Sequence, residues 1–500
     1  MEEKLNQLRA LLAEVVDLKT AQAVLGWDQE TLMPPGGAAG RGYQLGTLAR
    51  IAHEKFTSDE VGRLLEDLEP LSRQIPSDSD DACLIKITLR EYRKLKRVPA
   101  AYVEEDTRVT SNAYSVWENA KANANFAGFQ PELEKVVSLR RQYASFFQPY
   151  AHVYDPLLDD YEPGMKTAEV KRIFDTLRPQ QVALLRAIAG KPGPDNKFLT
   201  VSYPEKTQLD FGKEVITRFG FDWQRGREDL SVHPFTTGFN TGDVRITTRV
   251  DPHRLDMAIF GTMHEAGHGM YEQGIDPSLN RTPLASGASM AVHESQSRLW
   301  ENLVGRSRPF WSYFYPRLQQ LFPSQLGNVS LEAYYRGINR VEPSLIRTEA
   351  DEATYNLHIM LRLELEIALM EGSLEVRDLP EAWNSRMKEY LGLTPPNDAQ
   401  GVLQDVHWSQ GYFGYFSTYA LGNLVSAQIW ETLRADVPDL EKNIAEGEFK
   451  PLLAWLHEKI HRHGSKFEPQ DLIRKVTGTG ITPEPYMRYL TAKYSEIYHL

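Results

Sequence analysis

His264-Glu265-Ala266-Gly267-His268 follows the apolar, proline-free run Met257-Ala258-Ile259-Phe260-Gly261-Thr262-Met263, and together they read as one buried helix. Side chains four apart on a helix share a face, so His264 and His268 can grip one metal ion, with Glu265 beside it as the base. A third ligand is needed. Glu294, in Ala291-Val292-His293-Glu294-Ser295-Gln296-Ser297-Arg298-Leu299-Trp300-Glu301-Asn302, is the best candidate, because this run reads as a second helix packing antiparallel to the first. Glu301 is the alternative on the same run. The intervening loop, 273–289, is rich in Gly, Pro, Asn and Ser, as a reversal requires. Two histidines and one glutamate leave the fourth position to water, the arrangement of a catalytic zinc.

Composition narrows the context. Hydrophobic residues at 41% and charged residues at 25% describe an ordinary globule with ample core. No Gly/Ser linker, charge block or repeat divides the chain, so 1–500 is expected to be a single large domain with sub-lobes. A net charge of -12, with no Lys/Arg-rich run, argues against nucleic acid as a partner. No apolar stretch approaches the roughly 18 residues that span a bilayer, and no secretion signal opens the chain, so no membrane is expected and the cytoplasm is the default. Cys83 is the one cysteine; it excludes an internal disulfide, suits a reducing compartment and reads as core.

The rest of the chain reads as mainly α. Leu5, Leu8, Leu11, Leu12, Val15 and Val16 open it with an amphipathic helix, and helical spacing recurs over 38–53, 58–71, 82–97, 101–124, 131–147, 166–189 and 205–219. Tyr154 to Gly164 is acidic but lacks a Gly-pinned calcium loop, so it reads as a solvated turn rather than a second metal site. Between Leu230 and Val250 the texture becomes β-branched. Val244, Ile246 and Thr248 alternate with Arg245, Thr247 and Arg249 after a turn at Thr241-Gly242-Asp243, predicting a small hairpin or sheet beside the metal helix, with Ser231–Phe235 as partner strand or edge. Later helices are expected over 323–340, 353–371, 379–390, 414–435, 439–446, 450–463 and 468–476. The alternating Leu361, Leu363, Leu365, Ile367 and Leu369 still read as helix, because the run is long and lacks Gly and Pro.

Further candidate residues carry bland readings beside functional ones. His233 before Pro234 reads as a core histidine as readily as a substrate contact, Arg245 as a solvent-facing strand residue, and Arg347 as a salt-bridge partner of Glu349 or Asp351. The run from Gln404 to Tyr419 is different. His407 followed by Tyr412, Tyr415 and Tyr419 supplies neutral donors suited to the oxyanion of a tetrahedral intermediate, more hydroxyls than a core stripe needs.

At these positions the chain resembles the carboxypeptidase Taq family of thermostable metallocarboxypeptidases. The matches are Trp27-Asp28-Gln29-Glu30-Thr31-Leu32-Met33-Pro34, His233-Pro234-Phe235, Asp243-Val244-Arg245-Ile246-Thr247, the metal motif, His293-Glu294-Ser295-Gln296, Ile346-Arg347-Thr348-Glu349-Ala350-Asp351 and Gly401 to Trp408. The resemblance implies a largely helical fold with a deep groove, a homodimer, and broad-specificity release of C-terminal residues from peptides with a free C-terminus. By it His264, His268 and Glu294 bind one divalent metal per chain, zinc or else cobalt. Glu265 is then base and acid, and Arg347 holds the terminal carboxylate, with Arg245 and His233 as further substrate contacts. His407 and Tyr419 are carried over from similarity to oligopeptidases. The rival readings are a zinc endopeptidase or oligopeptidase, which needs no carboxylate clamp, and a helical interaction protein with an inert motif.

Overall fold

Leu5, Leu8, Leu12 and Val15 are all buried along the first helix, Glu2–Thr31, of the computed structural model, which describes residues 2–500. Helices Asp59–Ser72 and Asp80–Leu95 pack with it, each started by a serine, Ser58 or Ser79, whose hydroxyl accepts from a backbone N–H in the first turn. These helices form their own apolar cluster, which includes Cys83 and is closed by Ile275, Leu279 and Leu284. Those three residues follow the metal helix, so the N-terminal lobe is fastened to the loop that joins the ligand-bearing helices. A far larger apolar cluster runs from Tyr102 to Tyr498.

Three strands, β1 (Gly226–Leu230), β2 (Thr236–Asn240) and β3 (Asp243–Thr248), make the one sheet among the described residues, in the order β1-β3-β2. β2 pairs antiparallel with β3 through the expected turn, and β1 pairs parallel with it. The expected partner strand is corrected: the regular β2 register starts at Thr236, and Ser231–Phe235 is the loop joining β1 to β2. It is tied to β3 only at its ends, where Ser231 N donates to Thr248 O at 3.1 Å and Phe235 O accepts from Thr247 N at 2.9 Å, with Pro234 between them lacking an N–H to give a ladder. Val244 and Ile246 are buried on the face turned to the metal helix. A Cβ on Gly269 of that helix would lie 3.1 Å from Ile246 Cγ2.

The alternating leucines lie on a helix, Tyr355–Glu371, buried on nearly every side, so their spacing carried no face information. Helices Arg308–Leu321 and Glu484–Tyr498 were not anticipated, and the run expected as one helix over 323–340 is two, Pro323–Leu326 and Leu331–Ile338, parted around Gly327. The acidic segment is not a solvated turn. Tyr154, Asp155, Leu157, Leu158 and Glu162 are all buried, and Asp155 accepts from the backbone N–H and hydroxyl of Thr167, fixing the start of the next helix.

Candidate metal centre

The metal helix, Leu255–Gly274, buries Leu255, Ala258, Ile259 and Met263 and carries His264, Glu265 and His268 in its middle. The carboxylate helix, Met290–Arg298, starts at Ser289, which accepts from Val292 N, and continues as a wider π turn over Leu299–Val304. The two meet at Gly267, where a Cβ would stand 2.6 Å from Ser297 Cα and 2.8 Å from Gln296 O. From another side the helix Ser417–Asp436 sets Gly422 against Glu294; a Cβ there would be 2.6 Å from Glu294 Cβ. Glycine at both positions lets three helices close on one carboxylate.

Glu294 Oε2 lies 3.6 Å from His264 Nε2 and 3.4 Å from His268 Nε2. Tetrahedral bonds of about 2.0–2.1 Å place ligand atoms roughly 3.3–3.4 Å apart, so the set is already spaced for one ion. The other ring nitrogens are occupied. His264 Nδ1 is 2.8 Å from Glu301 Oε2, and His268 Nδ1 is 2.6 Å from His293 Nδ1, whose Nε2 is 2.8 Å from Glu272 Oε1. Both Nε2 lone pairs are thereby aimed at Glu294, and the three residues form a metal-holding cluster with all ligand atoms within 4.8 Å. Two imidazoles and a carboxylate suit zinc. Glu301, the alternative ligand, is instead the acceptor that orients His264.

Arg298 joins the two carboxylates, donating from Nε to Glu294 Oε1 at 2.7 Å and from Nη1 to Glu301 Oε2 at 3.0 Å. Burial opposes ionisation of Glu294, but Arg298 and the two imidazoles outweigh it and hold that carboxyl well below its usual range. Glu265 differs. Burial raises its pKa, opposed by His264 and by the Thr236 hydroxyl at 2.7 Å from Oε2, so it is the carboxyl of the pair that takes up a proton more readily. Thr236 begins β2, so the sheet positions the base.

A second polar centre surrounds Arg347. Its Nε and Nη2 both reach Asp405 Oδ1 at 3.0 Å, its Nη1 donates to the Tyr355 hydroxyl at 3.0 Å, and its guanidinium lies 5.1 Å from the Tyr419 ring centre. The expected partners Glu349 and Asp351 are not its acceptors; Asp351 accepts backbone N–H groups of Glu342, Ala353 and Thr354. The two centres touch. Arg298, bound to Glu294, lies 4.6 Å from the Tyr355 ring centre, and Tyr355 accepts from Arg347. Glu294 and Arg347 both act on the hydroxyl of the partly buried Tyr419, and desolvation raises its pKa well above the usual value. His407 packs 4.5 Å from the Phe416 ring centre; burial, opposed by Asp405 and aided by Arg347 and Arg362, pushes its pKa down to about 3, so it is neutral. His233 is within the field of Arg347 and Asp405 and is also lowered, chiefly by burial. Arg245 is not brought to this group. It is paired with Asp243 at 2.9 Å and lies 4.5 Å from the Trp27 ring centre, on the sheet face opposite Val244 and Ile246.

Four residues of this region escaped notice: Tyr355, His358, Arg362 and Glu366, at helical spacing on the buried helix Tyr355–Glu371. Arg362 donates from Nε to Asp405 Oδ2 at 2.7 Å, and Glu366 accepts from Trp408 Nε1 at 2.7 Å and Gly414 N at 2.9 Å, so this stripe holds the loop bearing His407. Their spacing of three, four and four was the available signal, hidden by the leucines between them.

A family description, carboxypeptidase Taq (M32) metallopeptidase, matches residues 7–494. The chain is 42% identical over 495 residues to thermostable carboxypeptidase 1 of Thermus thermophilus, covering 97% of both. It is 38% identical to carboxypeptidase 1 of Bacillus subtilis over 98% of both. The crystal structure of the M32 carboxypeptidase of Deinococcus radiodurans R1 superposes with a TM-score of 0.96 at 40% identity, covering all of both chains. With the metal cluster, the helical architecture and the small sheet all in place, the chain belongs to the carboxypeptidase Taq (M32) family of metallopeptidases.

Proposed function

We propose a division of labour for this zinc-dependent metallocarboxypeptidase, which acts on peptides with a free C-terminus. His264, His268 and Glu294 hold the ion, which when bound supplies the Lewis acidity that makes water nucleophilic near neutral pH. Glu265 takes the proton from the attacking water and returns it to the leaving amine, a role its raised pKa favours. Tyr419 and His407, neutral through burial, donate to the oxyanion that forms at the scissile carbonyl.

Arg347 is assigned to the substrate's terminal carboxylate. The observation that carries this reading is its unfilled donor capacity: a guanidinium has five N–H groups, and Asp405 and Tyr355 take one each from Nε, Nη2 and Nη1. One N–H on each terminal nitrogen remains, a fork suited to a carboxylate, close to the metal ligands through Tyr355 and Arg298. His233 is assigned as a neighbouring substrate contact, while Arg245, held by Asp243 away from Arg347, is given no part in the clamp. Mass spectrometry of a free-acid peptide and its C-terminal amide, each with and without chelator, tests the reading. Loss of single C-terminal residues from the free acid alone, abolished by chelator, supports it; internal cleavage of both peptides overturns it in favour of an endopeptidase or oligopeptidase.

We further propose that 1–500 works as a single domain with sub-lobes, as a homodimer, in the cytoplasm. The family resemblance supports the dimer, and the single buried Cys83 suits a reducing compartment. No helix among the described residues is long and apolar enough to cross a membrane. Light scattering of the purified protein tests the dimer.

A further inference from the structure

The two histidine ligands are supported differently. His264 meets a carboxylate directly, through Nδ1 and Glu301 Oε2 at 2.8 Å. His268 meets a second imidazole, with Nδ1 of His268 and of His293 2.6 Å apart, and only then a carboxylate, Glu272, 2.8 Å from His293 Nε2. The proton positions follow from bonding alone. A metal ligand binds through a bare Nε2, so His268 carries its proton on Nδ1 and donates it to His293 Nδ1. An imidazole that accepts at Nδ1 while neutral carries its proton on Nε2, and that proton is donated to Glu272. Each bond therefore fixes the tautomer of the next ring.

The surroundings are built to keep this order. A Cβ on Gly287 would lie 2.7 Å from His293 Cδ2, so the ligand loop is packed against the ring, and the Tyr271 ring centre lies 5.0 Å away on another side. Glu272 is held from the sheet, where a Cβ on Gly238 would come 2.9 Å from its Oε2. His293 and Glu272 are each about one-fifth exposed, so the relay runs along the edge of the site rather than through the core. β2 thus touches both glutamates of the metal helix, Glu265 through Thr236 and Glu272 through Gly238.

We infer that His293 and Glu272 are positioning residues for the metal, forming a Glu272–His293–His268 relay that fixes the tautomer and ring orientation of His268. Neither touches the ion or the substrate. The inference rests on His264, His268 and Glu294 being the metal ligands. Because Glu272 reaches His268 only through His293, the relay has a signature that simple packing lacks: the two residues act in series.

The test is zinc affinity, measured by competition with a chromophoric chelator, together with the melting temperature of the metal-free protein. Breaking an outer hydrogen bond to a ligand typically weakens metal binding by about 10- to 100-fold. His293→Phe and Glu272→Leu are each expected to show such a loss with the metal-free melting temperature unchanged. The double variant should bind zinc no more weakly than His293→Phe. His293→Gln, whose amide oxygen can accept from His268 Nδ1, should recover part of the affinity, and it carries the comparison if the phenylalanine variant does not fold. Parent-like affinity in Glu272→Leu and in the foldable His293 variant overturns the relay, as do losses that simply multiply in the double variant. A parent protein that binds no zinc overturns the ligand assignment instead.

Discussion

Arg347 and Asp405 are joined through a single carboxylate oxygen, Oδ1, at 3.0 Å from both Nε and Nη2, while Arg362 takes the other oxygen from Nε at 2.7 Å. Asp405 is thereby held between two cations, which outweigh its burial and keep it ionised well below the usual range. Arg347 is fixed in place without exhausting its donors.

Arg347→Ala is expected to lower kcat/KM on free-acid peptides by about 10² to 10⁴, since two charge-assisted hydrogen bonds are together worth roughly 3 to 6 kcal/mol. Hydrolysis of C-terminally amidated peptides, already poor, should barely change. Arg347→Lys should recover little, because an ammonium cannot present the planar fork. Asp405 retains Arg362 in both variants, so folding should survive. Equal losses on the two substrates would reduce Arg347 to a structural ion pair.

Glu265→Gln should keep its metal and lose turnover by about 10² to 10⁴, because the ligands remain while the proton carrier is gone. The Thr236 hydroxyl can still donate to the amide oxygen, so the local structure is preserved. Metal content by atomic absorption and kcat on one free-acid peptide decide this; a metal-loaded variant with near-normal kcat would remove Glu265 from the mechanism.

How much of this was legible depended on how local each feature is. His264, Glu265 and His268 declare themselves because one helix sets their geometry. Glu294 followed from an adjacent helix and a short reversal. Asp405 as the partner of Arg347 lies 58 positions away, and nothing in the sequence favoured it over the nearer Glu349 and Asp351. The β2 strand was misplaced by only a few residues, where Pro234 delays pairing. The Tyr154–Gly164 carboxylates were misread for a different reason, since acidic composition predicts solvent exposure and only tertiary packing reveals a buried Glu162.

Glu294 and Glu301 offer a test of ligand against orienter. Glu294→Ala should abolish tight zinc binding, because two imidazoles alone leave the ion short of a protein ligand. Glu301→Ala should weaken binding only about 10- to 100-fold, since it removes the acceptor of His264 Nδ1 and not a ligand. Zinc titration of both variants distinguishes them; the reverse order of losses would make Glu301 the ligand.

Glu162 is fully buried beneath the start of the carboxylate helix. Its Oε2 accepts from Ala291 N at 3.2 Å while Oε1 has no hydrogen-bond partner. Burial pushes its pKa up to about 7, only partly opposed by Ser289 and the Ala291 N–H. In the unfolded chain the group titrates near 4.5. Between those values the folded protein binds the extra proton, so this group's contribution to stability falls as pH rises from about 4.5 to about 7 and is level above that. Glu162→Gln is neutral at every pH and escapes this loss. Relative to the parent it should gain stability from pH 5 to pH 8, by an amount on the order of a few kcal/mol, with all other titrating groups cancelling in the difference. Melting curves of both proteins at pH 5 and pH 8 measure it. If the melting temperature of the variant differs from that of the parent by the same amount at both pH values, Glu162 is ionised in the folded protein throughout, and the carboxylate helix starts over a fixed negative charge.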